Sequence, residues 1–235
     1  MRGGLTWLTT TRTSRHAPAS VEPIWFEWLA LAGMFVFAAW LLGLQGVWAL
    51  LFTSDPTGIT LVIIVVFTVA TLWSGARSRE LARQRAALDA AAARNGRASS
   101  TDEGWAEAYW AALRATPRDA DAPLDILLER THGPHTTAWW VNAIQLKLGL
   151  LGKVIGFSIL ALHIGQMQSF DAAQSQDLLK SLTSGLGVAL LTTMVGLVGN
   201  ILLGLQLTRL DRYADELVTQ AQRHGLTLAP AREQE

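Results

Sequence analysis

Cysteine is absent from this 235-residue chain, which excludes disulfides, zinc–thiolate sites and thiol catalysis. Charge is scarce as well: Asp, Glu, Lys and Arg together make up 16% of the residues, against 50% hydrophobic ones. A typical soluble domain carries about 25% charged residues. With a mean hydropathy of +0.26, the chain reads as an all-α polytopic membrane protein with modest soluble parts. No basic stretch is interleaved with aromatics, so nucleic acid is not an expected partner. The phosphate-loop pattern GxxxxGKS/T, HExxH and GxSxG are all missing. His132 and His135 flank Gly133-Pro134 in what reads as a loop without nearby carboxylates. The chain is therefore not read as an enzyme, and no metal or cofactor is expected. The first twenty residues hold arginines but no apolar core of a signal peptide, and read as a short tail.

What is present is four long apolar segments, at about residues 24–52, 59–73, 148–167 and 178–207. A span needs about 20 such residues. The first segment is long enough for one tilted helix. The second is short and borrows Gly58 and residues 74–76, after the turn Ser54-Asp55-Pro56-Thr57-Gly58. The organisation expected is a tail (1–23), spans one and two (24–75), a helical loop (76–142), spans three and four (143–207) and a C-terminal helix and tail (208–235).

Turn 53–58 and loop 166–178 carry no Lys or Arg, whereas Arg2, Arg12, Arg15, Arg77, Arg79, Arg83, Arg85, Arg209 and Arg212 flank the other ends. The positive-inside rule then places both termini and the 76–142 region in the cytoplasm. Trp25, Trp28, Trp48, Trp73, Trp139 and Trp140 fall near span ends, as interfacial anchors do. In the loop, residues 76–94 extend the second span, residues 95–104 break it, and residues 103–115 form a short helix. A third piece starts near Asp121 and ends at His132-Gly133-Pro134. After the last span, Leu207, Leu210, Ala214, Leu217 and Ala221 form an apolar stripe, with His224-Gly225 as the stop.

The third and fourth spans carry polar residues that lipid disfavours. Gly149, Gly152 and Gly156 on the third span allow a close helix neighbour. Lys153 beside them is costly in hydrocarbon, by about 2.5–3.5 kcal/mol at a helix centre. It either snorkels to the cytoplasmic side or faces a passage or a partner carboxylate. His163, near the outer end of the same span, reads as an interface residue. On the fourth span, Leu190, Thr193, Leu197, Asn200 and Gly204 share one face. Thr192 stands next to it, and Asn200 needs several hydrogen-bond partners.

The stretch LGLLGKVIGF around Lys153 and the stretch GLGVALLTTMVGLVGN, which holds Thr192, Thr193, Gly196 and Asn200, resemble two motifs of the MotA/TolQ/ExbB proton channel family. The likeness covers residues 146–207, with both motifs in order on adjacent spans joined by a short loop. The four-span plan is similar to the MotA type. The resemblance implies a multi-pass protein of the bacterial inner membrane, in contact with lipid. It implies five such subunits around a dimer of a MotB/ExbD/TolR-like single-span protein, with proton flow driving rotation or force. Thr193 falls on the family's pore threonine of the last span. The pore threonine of the preceding span is replaced by Lys153, the glutamate of the ExbB type by Val188, and the later proline by Leu202. By that alignment Lys153, Thr193, Thr192 and Asn200 are the pore-lining or partner-contacting residues, and Gly149, Gly152, Gly156 and Gly196 pack helices. A non-conducting scaffold of the same fold is the alternative.

Overall fold

The structure, a computed structural model, describes residues 24–55, 57–94, 104–115, 120–165 and 172–228. The tail 1–23, the expected break at 95–103, the loop at 166–171, the last residues 229–235 and the side chain of His163 lie outside the described residues. Among the described residues six helices follow in order: α1 (Ile24–Leu44), α2 (Val47–Ser54), α3 (Ile59–Ala93), α4 (Trp105–Ala115), α5 (Asp121–Gly165) and α6 (Ala172–Leu228). No strand occurs among the described residues. Four of the helices, α1, α3, α5 and α6, are long and apolar enough to cross a membrane. The expected all-α, four-span fold is therefore what the chain adopts.

Residues 24–52 are not one long helix. Gly46 takes a left-handed conformation at φ 72°, which only glycine adopts at little cost, and the chain breaks there into α1 and α2. Trp48 then turns its indole back to the Ala39 carbonyl at 2.9 Å. The next turn works as its composition suggests. Asp55 accepts from the backbone N–H groups of Thr57 (2.9 Å) and Thr60 (2.7 Å), which satisfies free donors at the start of α3. Gly58 supplies the second left-handed residue, at φ 72°.

At 1.5 Å per residue, α3, α5 and α6 run for about 52, 68 and 86 Å, far beyond a hydrocarbon layer of about 30 Å. Their surplus lies at one end, together with α4. Here Leu88 and Ala91 of α3, Tyr109 and Trp110 of α4, Leu127 of α5, and Leu217, Val218 and Ala221 of α6 make one buried core. The region read as broken helical pieces is thus one arm of a four-helix bundle that α6 completes. Trp110 is fully buried and donates its indole N–H to the Ala221 carbonyl at 2.8 Å. The apolar stripe from Leu207 to Ala221 is buried throughout.

Two expected stops are not stops. α5 runs through His132-Gly133-Pro134 without a break. A proline inside a helix leaves the carbonyl four residues earlier without its donor. Arg77 of α3 fills that gap, donating to the carbonyls of Arg130 (2.6 Å) and Thr131 (2.9 Å). Its guanidinium also lies 5.2 Å from the Trp105 ring centre. α6 likewise continues past His224-Gly225 to Leu228. Gly225 serves close packing instead: a Cβ there would stand 3.2 Å from the Tyr109 ring and 3.3 Å from that of Trp110.

Candidate functional site: the α5–α6 seam

α5 and α6 are antiparallel, and their backbones touch along the membrane segment. A Cβ at Gly149 would sit 3.3 Å from the Gly196 Cα, and one at Gly156 would sit 3.0 Å from the Gly185 carbonyl oxygen. Small residues permit this approach where lipid offers no hydrophobic drive between helices. All four packing glycines, Gly149, Gly152, Gly156 and Gly196, fall on this seam within one chain.

Thr192 and Thr193 part company here. Thr192 is fully buried in the chain, with its side chain against the space left by Gly152 and its hydroxyl on the Val188 carbonyl at 2.9 Å. The expectation that Thr192 lines a pore or touches a partner is therefore corrected: the residue fills the gap that Gly152 leaves. Thr193, one residue on and rotated by about 100°, is half-buried at the seam's edge. Its hydroxyl donates to the Ala189 carbonyl at 2.7 Å and approaches the Gly149 carbonyl at 3.3 Å. Asn200, two turns along, donates its amide to the Asn142 carbonyl at 2.9 Å.

Lys153 is exposed and makes no ion pair among the described residues. Its side is fixed by helix geometry. Lys153 follows Asn142 by eleven residues, about three turns, so the two share one row of α5. Thr193 and Asn200 share the facing row of α6. α3 packs on the other flank of the pair, where Gln206 of α6 meets Thr71 at 3.3 Å and where Val65, Val69 and Trp73 of α3 share an apolar groove with Ala138 and Val141 of α5. Lys153, Thr193 and Asn200 thus lie along the flank that α3 does not cover. Around them Leu150, Val154, Phe157, Leu190 and Leu197 are exposed and apolar.

Several polar residues of this region were not singled out in the sequence. Gln145 is fully buried and Asn142 nearly so, with Gln145 beside Gly199. At the α4 end of the seam, His132 and His135 do have carboxylate neighbours, contrary to the loop reading. His135 Nδ1 stands 2.7 Å from Asp211 and His132 Nε2 stands 2.9 Å from Asp215. Trp139 donates to the second Asp211 oxygen at 2.8 Å. Arg77 donates its Nε–H to His135 Nε2 at 3.4 Å, so the Nδ1 of that ring carries the hydrogen that Asp211 accepts. His135 lies beyond the spanning segment, and burial lowers its pKa from the ordinary value. The Asp211 hydrogen bond and charge oppose that shift, and Arg77 and His132 add to it. The signal for these contacts was the spacing: His135 precedes Lys153, and Asp211 follows Thr193, by eighteen residues, which is five full helical turns.

No curated protein and no solved structure matches the chain. Residues 134–223 match the MotA/TolQ/ExbB proton channel family, a stretch that covers the α5–α6 seam and the His135–Asp211 pair and begins just after His132. It is along this seam that the chain is similar to the MotA/TolQ/ExbB proton channel family.

Proposed function

We propose that the chain is the channel subunit of an inner-membrane complex in which the proton motive force acts on a single-span partner. The α4 end faces the cytoplasm, because Arg77, Arg79, Arg83, Arg85, Arg209 and Arg212 all flank it. Several copies, five by the family's pattern, turn the flank bearing Lys153 and Thr193 toward a central pair of partner helices. The observation that carries this reading is Lys153: an exposed lysine on a spanning helix, amid exposed apolar side chains, on the flank that α3 leaves open. A charge there is expensive in lipid and is relieved by a partner carboxylate. Thr193 and Asn200 line the same passage.

A non-conducting scaffold is the second reading. Two departures favour it: Lys153 where the family has threonine, and Val188, which is buried, where the ExbB type has glutamate. A fixed cation holds a partner carboxylate in its ionised form by lowering its pKa. The test is co-purification and proton flux for Lys153→Met beside Lys147→Met. Removing one member of a buried ion pair costs about 3–5 kcal/mol, so Lys153→Met loses the partner and Lys147→Met keeps it. Equal and mild effects at both sites reduce Lys153 to an interfacial anchor. Under the scaffold reading the wild-type complex assembles and carries no protons.

A further inference from the structure

We propose that the groove between α3 and α5 is a lipid site, which takes an acyl chain of an anionic phospholipid and holds its phosphodiester at Arg77 and Arg130. The site lies in the leaflet on the α4 side. The inference needs α3 and α5 to span a membrane and does not depend on the channel reading.

Three observations carry it. First, the groove has the chemistry of an acyl-chain site. Val65, Val69 and Trp73 of α3 form one wall, and Pro134, Ala138 and Val141 of α5 form the other. Its volume is about 530 Å³, and from Val65 to Trp73 it runs for about 12 Å along the helix. Val65 and Val69 are exposed at its rim, whereas Ala138 is small and buried at its floor.

Second, both walls end on an arginine. Arg77 follows Trp73 by one turn on α3, and Arg130 precedes Pro134 by one turn on α5. The two residues meet, because Arg77 Nη2 donates to the Arg130 carbonyl at 2.6 Å. Arg130 also lines, with Trp105 and Ile126, a smaller cavity of about 200 Å³ between α4 and α5. The Arg77 guanidinium lies 5.2 Å from the ring centre of that same Trp105. Both cations therefore gather at one end of an apolar groove. Trp73 and the stack of Arg79 over Trp25, at 4.3 Å, mark the membrane boundary there.

Third, neither cation is neutralised. Among the described residues no carboxylate lies within ion-pair distance of Arg77 or Arg130. The neighbouring carboxylates have other contacts. Glu80 stands 3.5 Å from Arg83 and accepts from Gln84 at 2.9 Å. Asp211 accepts from His135 and Trp139. Glu129 lies over Gly133 on the adjoining row of α5. Arg77 uses its Nε and Nη2 hydrogens on protein acceptors, which leaves those of Nη1. The exposed Arg130 side chain makes no hydrogen bond among the described residues. Two adjacent guanidinium groups with donors left over suit a phosphodiester, since Arg meets phosphate oxygens in a matching fork. Basic pockets between spanning helices take anionic headgroups for this reason. An apolar helix, from a second copy or from a partner, would fill the groove and leave both charges unanswered. The arginines thus select a lipid.

The chain is purified in detergent with the partners it carries, and mass spectrometry of the intact complex counts the lipid retained on titration with phosphatidylglycerol or phosphatidylcholine. Phosphatidylglycerol is expected to saturate and to bind about tenfold tighter than phosphatidylcholine, whose own cation offsets its phosphate. Arg130→Gln is expected to weaken phosphatidylglycerol about tenfold, the loss of one charge-assisted hydrogen bond. Val69→Trp, which fills the groove from its exposed rim, is expected to abolish saturable retention. Both positions are exposed, so both variants fold. Lys147→Gln, which removes an exposed cation elsewhere on α5, is expected to change nothing. Equal binding of the two lipids overturns the inference, as does unchanged phosphatidylglycerol binding in both Arg130→Gln and Val69→Trp. Displacement of the lipid by inorganic phosphate, or a particle image with a helix of a second copy in the groove, overturns it too. None of these outcomes measures proton flux, so failure of the lipid site leaves the channel reading standing.

Discussion

Gly196 and Gly149 bring α6 and α5 into backbone contact: a Cβ on Gly196 would stand 3.0 Å from the Gly149 Cα and 2.9 Å from the Gln145 carbonyl oxygen. Neither neighbour is a flexible side chain that can move aside. Gly196→Ala should therefore force the helices apart and cost about 1–3 kcal/mol, the usual range for overpacking. Gly187 faces open space, so Gly187→Ala should be neutral or slightly stabilising through helix propensity. Thermal unfolding of the detergent-purified chain compares the two. Equal midpoints would mean that the seam is looser than this contact.

Arg77 and Pro134 give a second prediction. Arg77→Met removes the donor to the exposed Arg130 carbonyl, at a cost of about 0.5–1.5 kcal/mol for a lost hydrogen bond. Pro134→Ala restores the helix's own N–H to that carbonyl. In the Pro134→Ala background, Arg77→Met should therefore cost measurably less, and a double-mutant cycle reads the difference. Strict additivity would show that Arg77 acts on α5 by some route other than capping.

The His135 environment gives a pH dependence. Burial first, then Arg77 and His132, lower its pKa below the ordinary value of 6.5, against the opposing pull of Asp211. The unfolded chain takes up a proton near 6.5 and the folded one does so only at lower pH, so its contribution to stability is complete above 6.5. It is lost as pH falls from 6.5 toward the folded value. Hydrogen exchange of the α4-end bundle should speed up over that window, and His135→Gln should remove the dependence. An unaltered pH profile in His135→Gln would assign it to other groups.

Topology is read with reporter fusions. Fusions after Asp55 and after Ala173 should report from outside the cytoplasm, and fusions after Arg97 and at Glu235 from within. A cytoplasmic signal at Ala173 would reverse the placement of α5 and α6.

Much of the fold was legible because its causes are local. Runs of apolar residues define the spans, and the spacing of Leu207, Leu210, Ala214, Leu217 and Ala221 defines a buried stripe. What was not legible depended on partners distant in the chain. Pro134 reads as a helix end until Arg77, 57 residues earlier, supplies the missing donor. Gly225 reads as a stop until Tyr109 and Trp110 need its space. Conversely, the first segment has the composition of one helix, and only the left-handed Gly46 ends it. At the seam, the glycines announced close packing but not which helix would meet them. Thr192 and Thr193 are adjacent and chemically identical, and only the position of Gly152 assigns one to the interior and the other to the edge. The two histidines seemed to lack carboxylates because Asp211 and Asp215 lie 76 and 83 residues away.

The central claim is that Lys153 faces a partner helix and not lipid. Particle imaging of the complex, purified with its partner in a lipid nanodisc, tests this most directly. The account predicts a ring of this chain with the α5–α6 flank inward, Lys153 pointing to the central axis, and its Nζ within ion-pair distance of a partner carboxylate. A ring with α3 inward, or a Lys153 side chain directed to the lipid headgroups, would contradict it.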